Sequence, residues 1–313
     1  MVAVIVNYNA GAHLVACVAS LKTAGVREIV VADNESTDGS IASLTAADPA
    51  VSLVRTGGNF GYGGAANRGA ASRGAVGSGA VGSGATHLGA THLGATHLGS
   101  GGPTPEFLLI CNPDTVFHPD SISELASALD AHPRAGVVGP RIDTPKGDVY
   151  PSARTFPNVT DSIGHGFLGI FWRNNPWSRR YLMTERPMDR PSVVDWVSGS
   201  CMFTRREAFD EIGGFDESFF MYAEDVDLCR RLGEKGWETL YVPSARVTHA
   251  QGVSSARHPY RMIVAHHRSL LRFASLTAQG PRDRALLPVV AAGLALRATI
   301  LAAGRAIGDR RGK

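Results

Sequence analysis

Residues 3–8 read AVIVNY, residues 27–33 read REIVVAD and residues 51–56 read VSLVRT: three short apolar runs rich in β-branched side chains, separated by stretches of helical character. Alternation of strand and helix is the pattern of a parallel sheet covered by helices. In such sheets ligands sit outside the carboxyl ends of the strands. The polar residues after each run are therefore the first site candidates: Asn7 and Asn9, then Asp33 and Asn34, then Asn59 with a glycine-rich turn. The expectation is an α/β protein with a Rossmann-like, mostly parallel central sheet flanked by helices.

Moving outward, residues 74–99 repeat GAVGS twice and GATHL three times, without charge or large aromatics. His87, His92 and His97 would be scattered around a helix by a five-residue period, so residues 74–102 read as an inserted flexible loop rather than a metal site. FLLICNPD (107–114) restores the strand pattern, and SISELASALDAH (121–132) reads as a helix with Asp120 or Ser121 near its N-cap. Further on, VVDWVSGSCMFTR (193–205) suggests a strand, REAFDEIG a short helix, AEDVDLCRRLGEKG a longer helix closed by Gly236, and TLYVPSARVTHA a final extended segment.

The 313 residues are 44% apolar, enough for a sizeable core, and the net charge of +3 gives no argument for nucleic acid as a partner. Cys17, Cys111, Cys201 and Cys229 form no CxxC pair, which argues against a zinc site or a disulfide framework. Met1 runs directly into the first strand with no basic, apolar leader, so a cytoplasmic location is expected.

Several residues suit transfer of a group from a nucleoside diphosphate, which needs a grip on the nucleotide, neutralisation of the departing diphosphate and a base. Asp33 and Asn34, in VVADNESTDGS, can hydrogen-bond a pyrimidine or ribose edge, although a capped turn explains them equally well. In NFGYGGAANRG, glycines such as Gly61 let the backbone approach a ligand, with Asn67 and Arg68 just inside the following helix. Asn112, Pro113 and Asp114 end a strand where a divalent ion, Mg²⁺ or Mn²⁺, could bridge a carboxylate to a diphosphate. Glu224, Asp225 and Asp227 open a helix, where the dipole alone favours acids. Glu224 and Asp225 point about 100° apart, so one would be chemical and the other supporting. His249 could add an imidazole to the same metal and lean the choice toward Mn²⁺.

Taken in order, VNYN, ADNESTDGS, GGNFGYGGAANRG, CNPD, WVSGSCMFTR, GGFDESFFMYAEDVDLCRRL and the late His249 resemble glycosyltransferase family 2 with its GT-A fold, over most of residues 2–250. The resemblance implies that Asn112 and Asp114 occupy the metal- and diphosphate-binding DxD position, with Asn112 replacing one carboxylate. It implies that Asp33 and its neighbours hold the nucleoside, that Trp196, Ser198 and Gly199 border the acceptor, and that Asp225 is the base of an inverting displacement. Residues 147–177 and 185–201, with AEDVDLCRRLGEKGW, YVPSARVTHAQGVSS and AHHRSLLRF, are similar to actinobacterial rhamnosyltransferases. Those enzymes move L-rhamnose from dTDP-rhamnose to N-acetylglucosaminyl-diphospho-polyprenol in building the arabinogalactan–peptidoglycan linker. Two alternatives stand beside this one: a family 2 enzyme using another nucleotide sugar or acceptor, and a non-catalytic nucleotide-sugar-binding protein.

A polyprenyl acceptor implies contact with lipid. Residues 1–255 read as the catalytic domain and 256–313 as a helical, basic, membrane-proximal extension. Arg282, Arg284, Arg297, Arg305, Arg310, Arg311 and Lys313 oppose only Asp283 and Asp309 there. The apolar run 285–296, interrupted by Pro288, falls short of the ~20 residues of a spanning helix. It suggests an interfacial amphipathic helix on the anionic inner face of the plasma membrane, or else a helix packed on the catalytic domain with a solvated basic tail. His266, His267 and Arg268 are candidates to meet the acceptor diphosphate.

Overall fold

The computed structural model describes residues 1–73, 104–156, 172, 174–183, 188–252, 258–278 and 280–311. The repeat tract with His87, His92 and His97, and residues 157–171 of the narrower resemblance, lie outside the described residues. The three opening runs are strands β1 (Val2–Asn7), β2 (Ile29–Asp33) and β3 (Ser52–Arg55), linked by α1 (His13–Thr23) and α2 (Ser40–Ala47). Helix α3 (Gly61–Ala71) precedes β4 (Phe107–Cys111), and β3-β2-β1-β4 form the parallel half of a ten-stranded sheet. Every residue of β1 and β2 is buried, as strands covered on both faces require. Val2, Val4 and Val6 feed the core under α3, and Ala3 and Ile5 feed the opposite core under α1.

The second half of the sheet is mixed rather than parallel throughout. In chain order it contributes β5 (Thr115–Phe117), α4 (Ser121–Ala131), β6 (Ala135–Asp143), β7 (Val149–Tyr150), β8 (Ala153–Arg154), α5 (Pro176–Tyr181), β9 (Ser192–Val194), β10 (Trp196–Val197), β11 (Cys201–Arg205), α6 (Arg206–Glu211), α7 (Glu224–Glu234) and β12 (Glu238–His249). The order continues β4-β11-β6-β12-β5, with β11 antiparallel to both β4 and β6. The run expected as one strand over 193–205 is thus divided into three strands: β9 pairs with β12, β10 with β8, and β11 with β4 and β6. Asp195 marks the first break, where its carboxylate accepts the Phe156 N–H at 2.6 Å, and the turn at Ser198–Ser200 marks the second. The register of β12 shifts between Val242 and Arg246, beside Pro243, which has no N–H to give the ladder. Asp120 stands at the N-cap of α4 with φ 64° and no side-chain cap bond.

Two helices follow, α8 (Pro259–Thr277) and α9 (Pro281–Arg311). Phe273 of α8 inserts into the core under α3, and α9 packs along α8. The sequence expectation that the apolar stretch stops at Arg297 is corrected here. The helix runs on past both Pro288 and Arg297, and Pro281–Gly308 contains an 18-residue stretch of mean hydropathy 2.0, long and apolar enough to cross a membrane. Arg297 does not interrupt it because its guanidinium turns inward, Nη1 lying 3.0 Å from His267 Nε2 on α8. Leu286, Val289, Leu296, Ile300 and Ile307 are exposed. At about 100° per residue they form one face that carries no charge between Leu286 and Ile307, while Leu287, Val290, Leu294 and Leu301 are partly covered. The helix is therefore apolar nearly all round rather than amphipathic.

Contact between α3 and the sheet depends on Gly69, where a Cβ would come within 2.4 Å of Val4 Cγ1. Gly69→Val overpacks that contact with a stiff side chain and should lower unfolding free energy by about 1–3 kcal/mol, read as a lower urea midpoint at unchanged slope.

Candidate active site

At the carboxyl ends of β1 and β2 a polar corner is built from short side chains. Asn7 Nδ2 donates to Asp33 Oδ1 at 2.9 Å and lies within 3.0 and 3.1 Å of the Ser36 and Ser40 hydroxyls. The other Asp33 oxygen accepts the Ser36 N–H, and Asn9 Oδ1 accepts the Thr37 N–H at 2.8 Å. Asn34 bridges to the next strand end: its Nδ2 donates to the Gly61 carbonyl at 2.8 Å, and its Oδ1 accepts from Phe60 N and Thr56 Oγ1. The expected nucleoside residues Asn7, Asn9, Asp33, Asn34 and Gly61 therefore do converge. Gly61 has φ 75°, and a Cβ there would lie 1.9 Å from the Phe220 carbonyl, so glycine alone lets α3 start against that loop. Asn67 and Arg68 are not brought to this corner. Asn67 holds the N–H and carbonyl of Phe215, and Arg68 pairs with Glu217 at 3.2 Å and stacks on Phe60.

Asp114 follows β4 and is buried beside His249 at the end of β12, with Asp114 Oδ1 and His249 Nε2 3.1 Å apart. Asn112 Nδ2 also lies 3.1 Å from Nε2, while His249 Nδ1 is buried without a partner. A carboxylate oxygen and an imidazole lone pair at this separation repel unless a proton or a cation joins them. The spacing matches the ~3 Å between adjacent ligands of an octahedral cation with bonds of about 2.1 Å. Among the described residues no cluster of three or more His, Cys, Asp or Glu could hold a metal. The pair thus fits a Mg²⁺ or Mn²⁺ ion that takes its remaining ligands from phosphate and water.

Asp225 and Glu224 begin α7 directly after Tyr222 and Ala223, both in the left-handed region at φ 70° and 63°. Strained backbone of this kind costs about 1–3 kcal/mol per residue and is retained where it aims functional groups. Asp225 is half-buried. Its Oδ2 accepts the Gly199 N–H at 2.8 Å and its Oδ1 the Val226 N–H at 2.9 Å. Burial pushes its carboxyl above the ordinary range, against the downward pull of those two N–H groups and of Arg154. Glu224 is buried more deeply, with Oε2 lacking any partner, and burial together with the Asp225 charge raises it to about 8. Asp227 plays a different part: wholly buried, it binds Arg230 at 2.8 Å and Arg231 at 2.7 Å and so braces the helix.

The turn Ser198–Ser200 joins these parts. Ser198 N donates to Ser152 O, Gly199 N holds Asp225, and the Ser200 carbonyl accepts Asn112 N at 3.0 Å and Thr115 Oγ1 at 3.2 Å. The Tyr62 hydroxyl, from α3, donates to the Gly199 carbonyl. A Cβ on Gly199 would lie 3.2 Å from Asp225 Cβ, tighter than ordinary packing. Ser198 and Gly199 therefore adjoin Asp225, whereas Trp196 is buried, with Nε1 donating to Thr155 O at 2.9 Å.

Sequence reasoning missed Tyr62 and Arg154. The Arg154 guanidinium lies 4.9 Å from the centre of the Trp196 ring, 5.3 Å from Tyr150 and 5.7 Å from Tyr181, an aromatic cage for the cation that acts on Asp225. An arginine at the fourth position of PSARTF carries no local signal of this, because its partners come from three other elements.

A parallel half joined to a mixed half, with an acidic strand end and a second carboxylate across one turn, is the architecture of a glycosyltransferase of the GT-A type. Residues 1–262 match the profile described as "Glycosyltransferase like family 2", and the chain belongs to that family. It is 39% identical over 314 residues, 99% of this chain and 95% of the relative, to the N-acetylglucosaminyl-diphospho-decaprenol L-rhamnosyltransferase of Mycobacterium tuberculosis (strain H37Rv). It is 40% identical over 98 residues to rhamnosyltransferase WbbL of Escherichia coli K12, covering 31% of this chain and 34% of that one. The fold resembles the mannosyltransferase PcManGT of Pyrobaculum calidifontis, solved with GDP-Man and Mn²⁺, at TM-score 0.55 and 16% identity over 98% of this chain and 79% of that one. GalNAc-T7, solved with UDP, GalNAc and Mn²⁺, superposes at TM-score 0.52 and 16% identity over 79% and 43%.

Because Glu224 rises from 4.5 to about 8 on folding, the folded chain keeps a proton that the unfolded chain releases. Its effect on stability is therefore full below pH 4.5 and is lost as pH climbs toward 8. Thermal melts should show the Tm falling across that window in the wild type, and Glu224→Gln should flatten the fall; an unaltered slope would remove the assignment.

Proposed function

We propose that the chain transfers L-rhamnose from dTDP-β-L-rhamnose to the N-acetylglucosaminyl sugar of a polyprenyl diphosphate, with inversion at the anomeric carbon. One observation carries the chemistry: the turn Ser198–Ser200 binds Asp225 through Gly199 N–H and the Asn112–Asp114 loop through the Ser200 carbonyl. A base and a diphosphate site are thereby held on two sides of one rigid turn. The rhamnosyl donor and the lipid-linked acceptor are supported by the 39% identity over nearly the full length of the mycobacterial enzyme.

On this reading the corner of Asn7, Asn9, Asp33 and Asn34 takes the nucleoside. Asp114 and His249 hold a divalent cation, which supplies charge neutralisation for the departing diphosphate. The remaining lone pairs of Asp225 accept the proton of the attacking hydroxyl, and the two backbone N–H groups fix the carboxylate in place. Glu224, raised to about 8, holds its proton at neutral pH and so adds no like charge beside Asp225. Residues 1–255 act as the catalytic domain. The extension from 256 onward works at the cytoplasmic face of the membrane, where the uncharged face of α9 meets lipid and the arginines beyond it meet anionic headgroups.

Asp225→Asn should lower kcat by about 10²–10⁴ with labelled dTDP-rhamnose and a lipid-diphosphate N-acetylglucosamine acceptor, while dTDP affinity stays within about twofold. Retained turnover would overturn the role of Asp225, and transfer from other nucleotide sugars but not dTDP-rhamnose would overturn the donor. Asp114→Ala should weaken dTDP binding tenfold or more with Mn²⁺ present and little with EDTA; equal affinity in both conditions would exclude Asp114 as a metal ligand.

A further inference from the structure

A cleft of about 770 Å³ runs between α8 and the segments carrying Tyr8, Asn59 and residues 218–221, and neither the base nor the Asp114–His249 pair lines it. Arg261, Arg268 and Arg272 do. Their spacings of seven and four residues place them on one stripe of α8, and all three are exposed. Like charges four apart on a helix repel, so this stripe is disfavoured until an anion joins it. No acidic side chain lines the cleft. Arg272 has partners, donating to Ser218 Oγ at 3.0 Å and lying 3.9 Å from Asp216, whereas among the described residues Arg261 and Arg268 have no carboxylate partner. The rest of the lining is mixed: Asn59, Ser218, His258 and Ser269 stand beside apolar residues, of which Phe220, Tyr260 and Val264 expose large hydrophobic surface.

The location adds to the chemistry. Ser269 Oγ of α8 donates to Met221 O at 2.8 Å, and His266 packs edge-on against Tyr222 with centroids 5.0 Å apart. The helix that carries the arginines is thus fastened to the residues immediately before Glu224 and Asp225. At its other end it continues into α9 with its uncovered apolar face. Cations and hydrocarbon together, between a base and an apolar helix, complement an anionic group attached to a lipid chain.

We propose that this cleft binds an isoprenoid diphosphate, with Arg261, Arg268 and Arg272 taking the diphosphate and Phe220, Tyr260 and Val264 taking the first isoprene units. The assignment rests on the acceptor class proposed above and makes this cleft the acceptor's second anchoring point. Farnesyl diphosphate binding to the full-length chain in detergent tests it. Arg261→Gln with Arg268→Gln should weaken farnesyl diphosphate at least tenfold and leave dTDP within twofold, and inorganic pyrophosphate should bind the wild type at least tenfold more weakly than farnesyl diphosphate. A parallel loss of dTDP affinity would give the arginines to the donor. Unchanged farnesyl diphosphate binding, with loss only of binding to phosphatidylglycerol vesicles, would give them to membrane headgroups. On the unmodified sequence, farnesyl diphosphate but not dTDP should protect Arg261 and Arg268 from phenylglyoxal, read by mass spectrometry, and absence of protection overturns the proposal whatever the variants do. Protection without any rhamnosyl transfer would instead remove the donor assignment and leave the cleft.

Discussion

The backbone of three residues, Ser198 to Ser200, ties Asp225 to the strand end that carries Asn112 and Asp114. Its N–H groups reach Ser152 and Asp225, and its carbonyls receive Tyr62, Asn112 and Thr115. These partners come from the loop after β4, from the start of β5, from α3, from the start of α7 and from the residue before β8. A backbone group buried without a partner costs a few kcal/mol, so each of these bonds is difficult to give up, and displacing one element strands groups on another. The absence of a side chain at 199 belongs to the same constraint, because the Asp225 carboxylate occupies the space where a Cβ would press.

Charge at the site is handled by partition rather than by pairing. Asp227 is neutralised by two arginines of its own helix, and Asp33 is tied into neutral donors. Asp225 has backbone dipoles and the more distant Arg154 to offset a burial that raises its carboxyl above the ordinary range. Glu224, deeper and unpartnered, gives way and holds its proton. Two adjacent carboxyl groups thus differ in burial and hydrogen bonding, the usual physical route to separate titration.

Much of this was readable in the chain itself. Continuous apolar runs such as VAVIVN and FLLIC identify strands covered on both faces, and polar residues directly after them mark the ligand-facing edge. That is why Asp33 and Asp114 could be singled out from local pattern, whereas Asp225, at a helix start where the dipole alone favours acids, needed the family resemblance. What the pattern could not carry was long-range. The division of 193–205 into three strands depends on partners 40 to 90 residues away, through Phe156 and Cys111. Asn67 and Arg68 look like ligand-binding residues in a glycine-rich turn, yet they meet Phe215 and Glu217, almost 150 residues on. The C-terminal run seemed too short because Arg297 was counted as a stop, whereas a neighbouring helix lets that guanidinium turn inward.

The uncovered side of α9 has a consequence for kinetics. In water it leaves five large aliphatic side chains wetted, and at about 25 cal/mol per Å² their removal from solvent is a strong drive toward any apolar boundary. On the proposed function, a chain held at a bilayer in this way would search for its lipid-linked acceptor in two dimensions. Encounter would then depend on how many molecules share a patch of membrane area, and diluting the surrounding aqueous volume would leave that surface density, and the encounter rate, nearly untouched.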